Sequence, residues 1–348
     1  MAGVLRALIA DDLTGAADAG AGFGRPVRLT IAPDPAWDPG LAESVLQVHD
    51  TESRHLTPSE AGDRVAAAHL RAPVGRLYQK VDSTLRGNPG AEIEGALRSG
   101  RHRLAVVAPA FPAHGRTVLG GVLRVDRVAV SQSAFGSDPR SPVLHDSVLD
   151  LLRATTDLEV VRATIEDLQR CRAAIAVVDA VTDDDLRRIA AAITDDMLPV
   201  GSAGLARALG EMARPGLAGD EPPPCHSVRV LVGSSHPVAL CQAALVGGSD
   251  RVALRVNSNL TALTANLAAD LGRRPLAVIA TGGETALAVC RELGATALWP
   301  QGELEPGIPW SLLEGVEGVI LVTKAGGFGP PTTLQVLVER LLGRPVDG

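Results

Sequence analysis

Short aliphatic runs punctuate the chain at 4–10 (VLRALIA), 103–109 (RLAVVAP), 173–179 (AAIAVVD), 228–233 (VRVLVG), 276–281 (LAVIAT) and 318–323 (GVILVT). Unbroken β-branched runs of this length suit strands buried on both faces. Each leads into a polar or glycine-rich loop and then a stretch with helical character, which predicts parallel βα units. One stretch interrupts the pattern. RPGLAGDEPPPCHS (214–227) carries three consecutive prolines, which continue neither a helix nor a central strand, and a new strand starts at Val228. The expected organisation is α/β with two domains, 1–222 and 226–348, cut near residue 222. Each is a mostly parallel sheet flanked by helices, with the active site in the interdomain cleft.

Composition narrows the classes. A length of 348 residues exceeds a usual single core, and 46% hydrophobic content is ample for two. Aromatic residues are only 2% and the net charge is −7, which removes both the stacking platforms and the basic footprint of a nucleic-acid binder. Cys171, Cys225, Cys241 and Cys290 form no CxxC pair, so they read as reduced thiols rather than a zinc or redox site. No apolar run reaches membrane-spanning length, and MAGVLRALIADD meets two aspartates too early for a signal peptide. The expectation is a cytoplasmic protein with no nucleic-acid or membrane partner; a homodimer is compatible with the sequence.

Ligands of open α/β sheets sit beyond the carboxyl ends of the strands, so polar residues after each run come first. DDLTGAAD follows the first run; Asp11 and Asp12 either face a crevice, at most one of them directly, or cap the next helix, with Thr14 another candidate cap. KVDSTLRGNPG (80–90) places Lys80, Val81, Asp82, Ser83, Thr84 and Arg86 ahead of a tight turn. Arginine forks onto carboxylates, lysine is a compact cation, hydroxyls match sugar hydroxyls, and Asp82 has the chemistry of a general base. An internal salt-bridge cluster is the competing reading, but it does not call for the adjacent hydroxyls. Arg54 in HDTESRHL, and His114 and Arg116 in APAFPAHGRTVLGG, are further candidates, though a lone exposed Arg or loop His is commonly only solvated. GAGFGRP (20–26) lacks the spacing of a dinucleotide fingerprint and reads as a helix end.

The last third holds three glycine loops after strands: GSSHP (233–237), TGGETA (281–286) and TKAGGFGPP (323–331). Glycine lets peptide nitrogens approach a phosphate, and the helix behind each loop adds its dipole. GSSHP alone is satisfied by an ordinary βα connection; TGGET with KAGGFG points to phosphate contact. GxxxxGK[ST] is absent, so this is no P-loop. PVGSAGLARALGEM (199–212) is a similar unit that simple capping also explains.

Taken in order, ADDLTGAAD, TESR, KVDSTLRGN, PAFPAHGRT and DPRSPV, then GSSHP, TGGETA, EPGIPW and KAGGFG, resemble the four-carbon acid sugar kinases across nearly the whole chain. The resemblance implies acid-sugar contacts at Asp11 or Asp12, Arg54, Lys80, Val81, Asp82 and Ser83; His114 and Arg116 join them as candidates from their own rigid loop. It implies ATP contacts at Ser234, His236, Thr281, Gly282, Gly283, Glu284, Thr285, Lys324 and Gly326 or Gly327, with ATP and Mg²⁺ as cofactors and no protein metal site visible from spacing. Two departures stand out: His236 replaces a usual second serine, and only 43 residues separate Pro237 from Thr281, so the nucleotide domain is shortened. The leading expectation is phosphoryl transfer from ATP to the terminal hydroxyl of a tetronate such as threonate or erythronate. Arg54, Lys80 and Arg86 hold the carboxylate, and Asp12 or Asp82 is the base. The alternative is an inactive relative that senses a sugar acid; a nicotinamide dehydrogenase rests on architecture alone.

Overall fold

A computed structural model describes residues 5–24, 26–31, 37–138, 140–213 and 221–344. Residues 214–220 of the proline-rich stretch, and Pro139 within DPRSPV, lie outside these. The chain divides into two compact units: Met1–Arg25 with Ala32–Leu217, and Pro26–Ile31 with Ala218–Gly348. The short segment 26–31, which pattern alone leaves within the first domain, therefore belongs to the second unit.

In chain order the first unit starts with β1 (Leu5–Ala10) and α1 (Leu13–Ala21). After β2 (Val27–Thr30), which lies in the second unit, come β3 (Leu46–Asp50), α2 (Pro58–Arg71), β4 (Arg76–Lys80), α3 (Pro89–Leu97) and β5 (Leu104–Ala108). A three-stranded antiparallel sheet follows, β6 (Arg116–Leu119), β7 (Val122–Val125) and β8 (Val128–Ala129). The unit closes with α4 (Val148–Arg153), β9 (Val160–Arg162), β10 (Ile175–Val177), α5 (Asp183–Ala192), β11 (Met197–Gly201) and α6 (Ala203–Ala213). Its main sheet has the order β3-β1-β4-β11-β5-β10-β9 and every pairing is parallel. All five residues of β5 are buried, as expected of a strand covered on both faces. With so few aromatics, Tyr78 is one of the largest buried side chains; its hydroxyl donates to the Ser202 carbonyl at 2.6 Å.

The second unit contains β12 (Ser227–Val232), α7 (Pro237–Ala244), β13 (Val252–Val256), α8 (Leu260–Thr264), β14 (Leu276–Thr281), α9 (Gly283–Leu293), β15 (Ala297–Glu305), β16 (Ile308–Leu313), β17 (Val316–Lys324) and α10 (Thr333–Leu341). Its strands lie in the order β13-β12-β14-β17-β16-β15-β2. The first four are parallel and the remaining pairings antiparallel. Two-residue connections, Pro306–Gly307 and Glu314–Gly315, make the β15–β16–β17 meander; both glycines have positive φ (76° and 84°), as tight hairpins demand. The core is aliphatic, with Val228, Val230, Val232, Ile279 and Val322 of the sheet under Leu334, Leu337 and Leu341 of α10. All four cysteines are unpaired, and among the described residues no helix is long and apolar enough to cross a membrane.

Candidate active site

In the first unit the strand ends gather the predicted polar residues. β1 delivers Asp11 and Asp12, the β3 end delivers Asp50 through Arg54, and β4 ends on Lys80, which lies in register with Ala10. Asp12 is extended (φ −152°, ψ 156°) and caps α1, its Oδ1 accepting from the Gly15 N–H at 3.0 Å. Arg54 Nε donates to Asp11 Oδ2 at 2.6 Å, and Nη2 donates to Asp12 Oδ1 at 2.6 Å. Both aspartates therefore reach one guanidinium, against the expectation that at most one faces a given crevice. The reason is the reach of the guanidinium, whose Nε serves Asp11 and whose Nη2 serves Asp12.

Asp82 is committed to partners inside the chain. Arg86 grips it with Nε on Oδ2 at 3.0 Å and Nη2 on Oδ1 at 2.8 Å. The Thr84 hydroxyl also donates to Oδ2, and Arg54 Nη2 lies 3.7 Å from Oδ1. Burial opposes ionisation of Asp82, but the Arg86 guanidinium and then Arg54 outweigh it and hold the carboxyl well below its ordinary range. Arg86 reaches Asp138 Oδ2 at 3.4 Å and lies over the Phe135 ring, as does Arg116, whose Nη1 donates to the His114 carbonyl. The internal ion-pair cluster that the sequence reading disfavoured is thus what Arg86 forms.

Lys80 differs. It is only 4% exposed, yet no carboxylate lies within ion-pair distance of its ammonium among the described residues. Space for that ammonium comes from Gly15, where a Cβ would stand 2.4 Å from Lys80 Nζ and 2.6 Å from Asp12 Oδ1. On the neighbouring strand-end segments the Ser83 hydroxyl has no hydrogen bond among the described residues, and the buried Asp11 Oδ1 and Thr14 Oγ1 have no partner among them. A buried cation without an ion-pair partner among the described residues, on the same strand ends as unpaired polar atoms, matches a small hydroxylated anion.

Three residues of this cluster escaped the sequence reading. Glu92 of α3 is 1% exposed, its Oε1 2.6 Å from Ser53 Oγ; burial, then the Asp11 charge, pushes its carboxyl up to about 8. Asp50 is raised well above the usual range by burial and then by Asp12. Asp138, the first residue of DPRSPV, closes the far side of Arg86.

In the second unit β12, β14 and β17 end level, Val232 opposite Thr281 and Thr281 opposite Lys324. The three glycine loops therefore emerge side by side. A Cβ on Gly233 would lie 2.3 Å from Thr285 Oγ1, and one on Gly326 would lie 2.3 Å from Ser234 Oγ, so only glycine lets the loops touch. Gly282 has φ +101° and precedes α9, whose first turn holds Gly283, Glu284 and Thr285. Gly327 follows Gly326 in the third loop. His236 caps α7, its Nδ1 accepting from the Val238 N–H at 3.2 Å, while its own N–H donates to Ser234 Oγ at 3.2 Å. The departure from serine keeps the capping function. Thr281 Oγ1 is buried without a partner. Lys324 is fully buried, its ammonium donates among the described residues only to the Ala325 carbonyl at 2.9 Å, and burial brings it down to about 7.

Comparison with known proteins follows this division. The family model described as a sugar-binding N-terminal domain matches residues 6–209, and that described as a nucleotide-binding C-terminal domain matches 229–334. The D-threonate kinase of Bordetella bronchiseptica is 35% identical, covering 98% of this chain and 99% of the relative. That alignment runs to 407 positions against a chain of 348, so the relative carries segments this chain lacks. The D-threonate kinase of Cupriavidus necator is 34% identical over 94% of this chain and 95% of its own. A crystal structure from Bordetella bronchiseptica, a domain-swapped dimer with bound citrate, matches with a TM-score of 0.54 at 31% identity, covering 98% of each chain.

Proposed function

This chain belongs to the four-carbon acid sugar kinase family, and from that premise we propose that it transfers the γ-phosphoryl group of ATP to the terminal hydroxyl of a tetronate, D-threonate being the first candidate. The observation that carries the reading is the pair of buried lysines, Lys80 and Lys324, each ending a strand in a different unit with no carboxylate within ion-pair distance among the described residues. Lys80 suits the sugar acid, on the same strand ends as the unpaired polar atoms of Asp11, Thr14 and Ser83; Lys324 suits phosphate, at the root of three loops rich in peptide nitrogens. The citrate held by the Bordetella relative supports an acid-binding site of this kind.

Phosphoryl transfer is mostly positioning and charge neutralisation. Asp82, saturated by Arg86 and Thr84, suits a scaffold more than a base. Asp12 uses one oxygen for Arg54 and Gly15, while Oδ2 has no hydrogen bond among the described residues, so Asp12 takes the hydroxyl proton. Arg86 fixes Asp82, and Arg54 fixes the two aspartates. Among the described residues no group of three metal-ligating side chains is arranged around a common point. A Mg²⁺ arriving on the nucleotide would keep several waters, and the Glu284 carboxylate in the second glycine loop would help hold it. Bound there, Mg²⁺ would neutralise phosphate charge.

The shorter chain favours one rival, a sugar-acid sensor without turnover. The presence of all three loops argues for the kinase. A homodimer is supported by the domain-swapped Bordetella relative. The test is to mix purified protein, Mg-ATP and the threonates, erythronates and 3-oxo-tetronate, and to follow ADP. Folded protein without turnover on any of them defeats the kinase reading; calorimetry showing tetronate but not ATP binding then identifies the sensor.

A further inference from the structure

Behind the acid pocket runs a line of oxygen atoms: Glu92 Oε1 to Ser53 Oγ at 2.6 Å, Ser53 Oγ to Thr51 Oγ1 at 2.8 Å, and Thr51 Oγ1 to the Ala10 carbonyl at 2.8 Å. All three side chains are buried, with Ser53 fully enclosed. Each contact is short enough to require a proton between its oxygens. The line ends on a carbonyl, which only accepts, and two hydroxyls bring two protons for three contacts. The third proton has one source. We infer that Glu92 is a positioning residue held as a carboxylic acid, donating to Ser53, which donates to Thr51, which donates to the Ala10 carbonyl.

This arrangement has a consequence for the pocket, and it rests on the tetronate kinase reading above. Ser53 precedes Arg54 and the Ala10 carbonyl precedes Asp11, so the relay ties together the two segments that build the acid site. A neutral Glu92 also keeps a further negative charge away from an anionic substrate. The charges acting on Glu92 are Asp11, Arg54 and Lys80 at the strand ends. From α2, Arg64 donates to the Thr51 carbonyl and Asp63 pairs with Arg98 beyond α3; past α4, Thr156 donates to Glu94. No cation pairs directly with Glu92 among the described residues. Titration near 8 agrees with a carboxyl that is protonated at neutral pH.

Infrared difference spectroscopy against Glu92→Gln tests the proton itself. The wild type is expected to show a protonated-carboxyl band at neutral pH that E92Q lacks and that disappears as pH passes about 8. Steady-state kinetics test the consequence. The wild-type KM for the sugar acid is expected to rise about tenfold between neutral pH and about pH 9, because ionisation of Glu92 adds a buried like charge near an anionic substrate. E92Q, which keeps an N–H toward Ser53, shows no such rise. Absence of the band overturns the inference, as does an equal KM rise in E92Q. Should E92Q not fold, Asp50→Asn separates the two buried carboxyls: a band that survives it and bleaches near 8 belongs to Glu92, and its absence overturns the inference. A band without turnover on any tetronate sustains the protonated relay while removing the kinase reading.

Discussion

Replacing Lys324 by Met separates phosphate recognition from core packing. The lysine is fully buried and burial moves its titration from 10.5 to about 7. Between those values the unfolded chain holds a proton that the folded chain lacks, so stability of the ligand-free protein rises with pH from about 7 towards 10.5 and is depressed below about 7. At about 1.4 kcal/mol per pH unit this amounts to about 5 kcal/mol. Lys324→Met, similar in volume and without the charge, is therefore expected to stabilise the free protein at pH 6 by up to about 5 kcal/mol, and to flatten the pH dependence of urea unfolding. A phosphate supplies the missing partner, so nucleotide binding at about pH 8 recharges the lysine and takes up close to one proton. Calorimetry of ADP binding in buffers of different ionisation heat measures that uptake. Loss of a charge-assisted hydrogen bond costs K324M about 2–3 kcal/mol, roughly a hundredfold in Kd. ADP bound equally tightly by K324M, or bound by wild type without proton uptake, refutes the assignment.

Three further outcomes follow from the first unit. Asp12→Asn still caps α1, so melting temperature changes little while kcat falls by about 10²–10⁴ in the ADP-release assay. Gly15→Ala places a methyl group against Lys80 and Asp12 and is expected to raise the sugar-acid KM by more than about tenfold with ATP KM unaltered, read by varying each substrate in turn. Arg86→Gln leaves Asp82 buried without its bidentate partner, at a cost of about 3–5 kcal/mol. Because Asp82 titrates well below 3.8, that ion pair contributes above about pH 4 and is lost as pH falls through the folded value. The deficit of R86Q in urea unfolding is therefore full at neutral pH and shrinks in strong acid.

Much of this was readable in advance, and the rest has a physical reason for being hidden. The aliphatic runs at 276–281 and 228–233 became β14 and β12 within a residue, because strands buried on both faces leave an unbroken apolar signature. The three glycine loops were visible because close backbone approach admits few other residues. Glu92 was not, since a glutamate in a short helix such as AEIEGAL reads as solvated surface until α2 and the strand ends cover it. Arg86 pairs first with Asp82, four positions away and visible locally, whereas its second partner, Asp138, lies 52 positions away and out of local reach. The four-residue β2 pairs with β15, whose partners Ala297 and Leu298 lie far along the chain, and no local pattern announces such a contact.

That small strand governs how the molecule can be taken apart. Thr30 and Leu29 complete the ladder of β15, and Arg28 clasps Glu314 with Nε at 3.0 Å and Nη2 at 2.7 Å. A fragment begun at residue 226 would carry every glycine loop yet lose the strand that finishes its own sheet, leaving Glu314 without its guanidinium. The nucleotide half is thus a product of both ends of the polypeptide, and a free-standing version has to bring residues 26–31 along by circular permutation or as a supplied peptide.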